Sequence, residues 1–378
     1  MNAINVDSMA AERQAFADLA RDISLKKLVE HREENDRYPF GPIFEDAIRD
    51  AGIVGFYGVN LPEEQGGVGM NAGMVSVILE KISEVDASLA GVIFSNAAAL
   101  EIINAAMAST GDTGIYSEIK TLGTAPIAFP MYASPDEISP AMLSKDESRI
   151  FYATIRNCAL GNIADYAVVP IRRKENQPYS YYLVDLKDKG VTISRPIVSL
   201  GLHGCPMVDI TIDKVPSRVI GKSGEGKKYF SAMSDRMAVC AAAMSLGIMR
   251  GSFQDAMQYT SDRYQGGRQI IDWGQVRMML ANMAIEMKIA ESCVAMACQQ
   301  MDCCVCGWEK TAQAAAIHIG EMATRSCTDG VQLFGGNGYM KDYPQEKRMR
   351  DARHAQSLLG MVPLRKIQYI SRIIEECE

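Results

Sequence analysis

The sequence predicts an α+β protein that is mostly α, with a β segment set between two helical ones. Three observations predict it. Apolar residues recur at three- and four-residue steps from the N-terminus to about residue 120. Short runs rich in β-branched and aromatic residues, cut by Gly and Pro, occupy roughly the next hundred residues. Long Ala- and Met-rich helical patterns then run to the end. At 378 residues the chain is too long for one small core, so two or three domains sharing a large core are expected.

In chain order, residues 1–120 form the first expected domain. ERQAFADLARDI and PIFEDAIRDAGIVGFYGV carry apolar stripes, LPEEQGGVGM (61–70) is a glycine-rich turn, and residues 71–107 give one or two long, mostly buried helices. Residues 121–222 form a small β domain through YSYYLVDL, VTISRPIVSL and MVDITIDKV. Residues 223–378 return to helices such as MAVCAAAMSLGIMRGSFQDAMQYTSDRY, apolar on more than one face as in a bundle.

Composition excludes several classes. Hydrophobic content of 48% with 22% charged residues is ordinary for a soluble globular protein. Net charge is −7 with no dense Lys/Arg stripe, so neither nucleic acid nor an acidic membrane surface is an expected partner. The first residues lack a basic n-region and an apolar h-region, and no apolar run reaches about 18 residues. A cytoplasmic location is expected. Five of ten cysteines fall between Cys293 and Cys306, without clean Cys-x-x-Cys pairs or a nearby His. In a helical pattern these behave as small hydrophobes, so no metal site is expected.

Three segments carry a resemblance: DRYQGGRQIIDWGQVRMMLANM (262–283), DGVQLFGGNGY (329–339) and YPQEKRMRDAR (343–353). They resemble the C-terminal domain of the acyl-CoA dehydrogenases, flavin enzymes that desaturate acyl-CoA thioesters at Cα–Cβ. Weaker similarity in AGIVGFYGVNLPEEQGGVG (51–69) and in residues 199–226 extends it over essentially the whole chain. The resemblance implies an α-helical domain, a β-barrel-like domain and a four-helix bundle, usually assembled as a tetramer. It implies FAD as cofactor, an acyl-CoA substrate and electron-transferring flavoprotein as acceptor. It also implies Arg263, Gln265, Gln332, Gly335 and Gly336 as the residues that hold the adenine and pyrophosphate end of FAD across a subunit interface. The chemistry agrees, since glycines let backbone N–H groups approach phosphate and Arg adds a bidentate cation. Arg263 otherwise reads as a solvated cation at a helix end. Arg348, Arg350 and Arg353 are expected in a structural charge network with Glu346 and Asp351.

The pattern breaks where the reaction needs a base for the Cα proton. Counting from Arg350-Asp351-Ala352 places Leu359 on the family's usual Glu, and a leucine accepts no proton. A second seat used by some members falls on Met237, or on Asp235-Arg236 with a two-residue shift. Flavin-ring contacts depart too. AFPMY (128–132) and RNCALGN (156–162) put Pro130, Cys158 and Leu160 where the family carries Thr, Trp and Ser/Thr, and Gly266 and Gly274 replace its Phe and Gln.

Two carboxylates could take over as base. Asp86, Ala90 and Phe94 share one helix face, which the resemblance places on the acyl pocket, and a buried carboxylate there would suit proton transfer. Asp86 alternatively caps a helix start. Asp235 is the other candidate, alternatively a solvated surface acid. His203 reads as structural. Ala90 stands where glutaryl-type members carry an Arg, which argues against a dicarboxylyl-CoA. The sequence therefore supports a flavin-dependent acyl-CoA dehydrogenase-type oxidoreductase with a non-standard base. The alternative is a non-catalytic subunit that pairs with an active homologue in a hetero-oligomer.

Overall fold

A computed structural model describes residues 6–131 and 138–377; Tyr132, the last residue of AFPMY, lies outside the described residues. The N-terminal helices are α1 (Val6–Leu28), α2 (Arg32–Asn35), α3 (Pro42–Ile53), α4 (Ala72–Ser83) and α5 (Ala87–Thr110). Local chemistry sets their ends. Pro42 opens α3, where its missing N–H costs nothing. The Asn71 side chain accepts from the Gly73 N–H to cap α4. Gly111, at φ +73°, closes α5 in the left-handed conformation. Every residue of α5 from Ala87 to Ile103 is buried, which explains its apolar character on all faces. Polar Asn96 is tolerated there because its amide donates to the Tyr57 carbonyl at 2.9 Å and accepts from the Ile127 N–H at 3.2 Å.

The middle strands are β1 (Met142–Leu143), β2 (Arg149–Ala159), β3 (Tyr166–Arg172), β4 (Tyr179–Asp185), β5 (Val191–Ile193), β6 (Met207–Pro216) and β7 (Arg218–Ile220). They form two antiparallel sheets, β1-β2-β6-β5 and β3-β4-β7. Residues 128–129 join them, since Ala128 bridges Ala167 of β3 and Phe129 bridges Ala159 of β2. That short stretch curls the two sheets towards a barrel. β3 and β4 are buried along nearly their whole length and read as continuous apolar runs, whereas β6 alternates.

The C-terminal part begins with α6 (Gly226–Asp262), then the hairpin β8 (Tyr264–Gln265) and β9 (Arg268–Gln269), α7 (Gly274–Asp302), α8 (Trp308–Phe334), α9 (Gln345–Ala355) and α10 (Val362–Cys377). α6 packs on both α7 and α8, α10 packs on α8, and α6 also runs across α4 and α5. Windows of α5 and α6 are apolar enough to cross a membrane by composition, but each is 89% buried inside the protein, as core helices are.

The α4–α6 crossing depends on two glycines one turn apart. A Cβ on Gly247 would lie 2.2 Å from the Glu80 carbonyl oxygen, and one on Gly251 2.3 Å from that of Glu84. On helix propensity alone Gly247→Ala would stabilise by about 1 kcal/mol. Overpacking reverses the sign, and a loss of about 1–3 kcal/mol is expected in urea unfolding. A midpoint at or above the parent's would show that the helices do not meet there.

The clustered cysteines divide in a way the helical pattern did not show. Cys298 is buried on α7, 3.3 Å from the Ser76 hydroxyl, and behaves as a small hydrophobe. Cys303, Cys304 and Cys306 are instead exposed in the turn between α7 and α8.

Candidate functional site: an open phosphate cradle and a closed base seat

The turn after α9 carries the position at which the resemblance expects the base. Leu359 adopts φ +66° and Gly360 φ +115°. The Leu359 N–H donates to the Met131 carbonyl at 3.1 Å, and Arg365 of α10 donates to the Leu358 carbonyl at 3.1 Å. Leu358, Leu359, Met237 and Phe94 are all buried in one apolar cluster. Both base seats are thus filled by hydrocarbon.

The structure ties the two seats together through residues that the sequence did not single out. Arg365 donates to the Gln313 Oε1 at 3.2 Å, and the Gln313 amide donates to the Asp235 Oδ1 at 3.0 Å. Asp235 also accepts from Arg372 Nη1 at 2.6 Å. Burial pulls the Arg365 guanidinium down to about 10. Asp235 is therefore neither a solvated surface acid nor a free base. It is buried, with its carboxylate bonded to α8 and α10. Arg236 points elsewhere, to Glu101 at 3.0 Å.

Asp86 is corrected in the same way. It is the N-cap of α5, accepting from the Ser88 N–H at 2.7 Å and the Leu89 N–H at 3.3 Å. Its other oxygen lies 3.1 Å from the Lys347 ammonium, which also binds Asp351 at 2.6 Å. The three side chains are almost fully buried. Burial opposes the Lys347 charge, but Asp351, Asp86 and Asp36 outweigh it and raise its pKa. The Asp86 carboxylate is thus occupied by the start of α5 and by Lys347 rather than open to a substrate. Lys347 was missed by sequence reasoning, although its four-residue spacing to Asp351 was a visible signal.

The expected arginine network keeps one of its expected partners, Glu346, and gains others. Arg350 pairs with Glu346 and, at 2.6 Å, with Asp36, while Arg348 pairs with Asp255 and Arg353 donates to Gln356. His203 is structural: its Nδ1 lies 3.2 Å from the Asp36 carboxylate and its Nε2 2.8 Å from the Ser199 carbonyl. Burial alone would raise the Asp36 carboxyl, but His203, Lys347 and Arg350 outweigh it and draw it down to about 2. The His203 imidazole is raised by its hydrogen bond to Asp36, against burial. Asp36 thus stabilises the fold above its ordinary range, and that contribution is lost as pH falls through about 2. His203 contributes fully below its ordinary value and loses its contribution as pH rises through the raised one. His203→Gln is expected to flatten the fall in stability as pH rises above the ordinary histidine range, measured by urea unfolding.

Side chains at and beside the flavin-ring positions of the β domain are buried. Phe129, Met131, Cys158 and Leu160 are each at most 2% exposed. Asn162 beside them keeps both amide atoms buried without a hydrogen-bond partner. A cleft of about 410 Å³ opens next to Pro130, with exposed Arg156 on its rim. Beside that cleft, Phe129, Met131, Cys158 and Leu160 are buried apolar side chains, so they supply few hydrogen bonds to the reactive half of a flavin.

The adenine end is different. Gly266 and Gly267, at φ +67° and +86°, form the two-residue turn of the β8–β9 hairpin, a conformation that favours glycine. Arg263 starts this hairpin. The 335–339 loop is fixed by Tyr259, whose ring stacks on Phe334 at 4.0 Å and whose hydroxyl accepts from Asn337 at 2.9 Å. One small core, including Ala256, Leu280, Leu333 and Phe334, underlies both features. Arg263, Gln265 and Gln332 are exposed, and their side chains make no hydrogen bond among the described residues. Gly335 needs its φ of +57°. A Cβ on Gly336 would meet nothing within 4 Å, so no described residue requires a glycine there. An exposed glycine loop and an exposed arginine over one small core fit a pyrophosphate approached from outside the chain.

Residues 10–110 match the model described as acyl-CoA dehydrogenase, N-terminal domain, and residues 224–361 that described as acyl-CoA dehydrogenase, C-terminal domain. The chain is 26% identical over 374 residues to the probable acyl-CoA dehydrogenase fadE25 of Mycobacterium leprae, with 92% of this chain and 91% of that protein covered. It is 26% identical over 359 residues to subunit CarC of the caffeyl-CoA reductase-Etf complex of Acetobacterium woodii, with 90% and 93% covered. Butyryl-CoA dehydrogenase from Megasphaera elsdenii shares the fold at a TM-score of 0.85, with 22% identity over 96% of this chain and 98% of that one.

Proposed function

The chain belongs to the acyl-CoA dehydrogenase family, and from that premise we propose that it is a non-catalytic subunit of a hetero-oligomeric, FAD-dependent acyl-CoA dehydrogenase. The observation that carries this reading is the split between its two half-sites. The Leu359–Met131 hydrogen bond closes the base seat, while Arg263, Gln332 and Gly336 stay open to the outside. In this reading the chain lends its glycine loop and Arg263 to the adenine end of FAD whose ring lies on a homologous subunit that carries the Glu. When bound there, FAD supplies the hydride acceptor. This chain orients the pyrophosphate and supplies no base. The substrate is an acyl-CoA, and electron-transferring flavoprotein is the acceptor we assign to the assembly, a reading supported by the CarC relative.

The test is co-expression with such a homologue. Alone, the chain is expected to hold little FAD. The purified co-assembly should carry FAD at half the number of chains and oxidise an acyl-CoA. Arg263→Ala in this chain alone should weaken that FAD about ten- to a hundredfold, as loss of a charge-assisted hydrogen bond of about 1.5–3 kcal/mol predicts. The orphaned Asn162 amide and the cleft beside Pro130 favour a second reading, a homo-oligomeric enzyme with a non-standard base. A chain that purifies alone with full FAD, bleached by an acyl-CoA, would establish that reading and overturn the first.

A further inference from the structure

The β8–β9 hairpin carries a second cation besides Arg263. Gln265 pairs with Arg268 across the two-residue turn, and the Ile270 N–H donates to the Arg263 carbonyl at 2.8 Å. Along a strand side chains alternate between faces, and directly opposite residues share one. Arg263, Gln265 and Arg268 therefore stand on one face of the hairpin, and all three are exposed.

Arg268 is held there by Trp273. Its guanidinium carbon lies 4.5 Å from the centre of the indole ring. The ring is itself seated on the hairpin. Its Nε1–H donates to the Gln265 carbonyl at 3.4 Å, and a Cβ on Gly266 would lie 2.9 Å from its Cζ2. The indole thus fills the place that a side chain at 266 would take. A guanidinium laid on an aromatic ring keeps its in-plane N–H donors available. Those of Arg268 make no hydrogen bond or ion pair among the described residues. The acids of this segment are engaged elsewhere: Asp272 holds Arg277 at 2.8 Å, and Asp262 accepts from Gln258 at 2.6 Å. Three arginines against two aspartates leave residues 262–277 net positive.

We propose that Arg268, seated on Trp273, is a second phosphate-holding residue that grips the FAD pyrophosphate together with Arg263. The proposal rests on the reading that this end of the chain holds the adenine half of FAD, whether the ring lies on a homologue or on a second copy. Two guanidinium groups on one face match two linked phosphates, each able to accept a bidentate pair. Trp273 is a positioning residue that acts through Arg268.

The test measures FAD affinity by equilibrium dialysis at low and high salt, in the co-assembly with the homologue or in the homomer if that carries FAD. Arg268→Gln in this chain is expected to weaken FAD about tenfold and to make the affinity less steeply dependent on salt. Arg268→Lys should restore the salt dependence but not the full affinity, because the ammonium is a point charge without the planar fork. Trp273→Leu should give a smaller loss with the parent's salt dependence. The melting temperature of the FAD-free chain should not change in Arg268→Gln, since the side chain is exposed. Parent affinity and salt dependence in Arg268→Gln, while Arg263→Ala still loses FAD, overturn this proposal alone. Parent affinity in both variants, or a parent that holds no FAD in either assembly, overturns the adenine-end reading and this proposal with it. An Arg268→Gln loss of FAD matched by a lower melting temperature of the FAD-free chain would show a structural role and also overturn it.

Discussion

Lys347→Met is expected to destabilise the protein by about 3–5 kcal/mol, the largest loss from any single polar change at this site. The reason is asymmetric. The ammonium is buried between Asp86 and Asp351, and removing it leaves two carboxylates without their counter-charge. A methionine fills the volume, so the loss reports charge rather than packing. The double variant Lys347→Met, Asp351→Asn should recover part of it, because one orphaned charge goes with its partner. Urea unfolding checks both. If Lys347→Met unfolds at the parent's midpoint, the triad carries no stability, and the engagement of Asp86 by Lys347 loses its energetic meaning.

The second large effect concerns Leu359→Glu, which returns a carboxyl to the family's usual seat. In the chain alone it is expected to yield no acyl-CoA oxidation and to cost about 1–3 kcal/mol even with the carboxyl protonated. The seat is buried, and the peptide group that precedes it is bonded to both Met131 and Arg365. A real base needs a substrate in reach as well as a carboxylate. The assay is FAD content with flavin bleaching by a panel of acyl-CoAs. A yellow, acyl-CoA-bleached Leu359→Glu homomer would show that the seat is open and that only the base was missing. That outcome would sink the partner-subunit reading.

These expectations show which parts of the site could be read in advance. The Glu346–Arg350 and Lys347–Asp351 pairs sit four residues apart on α9, so helix geometry alone brings them together. The Asp86 cap was legible as an alternative because Asp before Ala-Ser-Leu is a helix-start pattern. Its pairing with Lys347 was not, because the two belong to different domains. Asp36 and Arg350, 314 residues apart, make the same point. The Arg365–Gln313–Asp235 link crosses three helices, and no periodicity announces it.

The sequence by itself determined the order of helical, β and helical segments, because periods of 3.6 and 2 are local properties of the chain. It determined the absence of a base at Leu359 and Met237, since no fold turns a hydrocarbon into a proton acceptor. It also marked the glycine loop around Gly335. Only the tertiary structure decided where the spare carboxylates went. Asp86 and Asp235 are engaged by cations that folding delivers from α9 and α10, while Arg263 stays exposed with no side-chain hydrogen bond among the described residues. Burial makes that distribution matter, since a charge inside the protein must find its partner through space, whatever its distance along the chain.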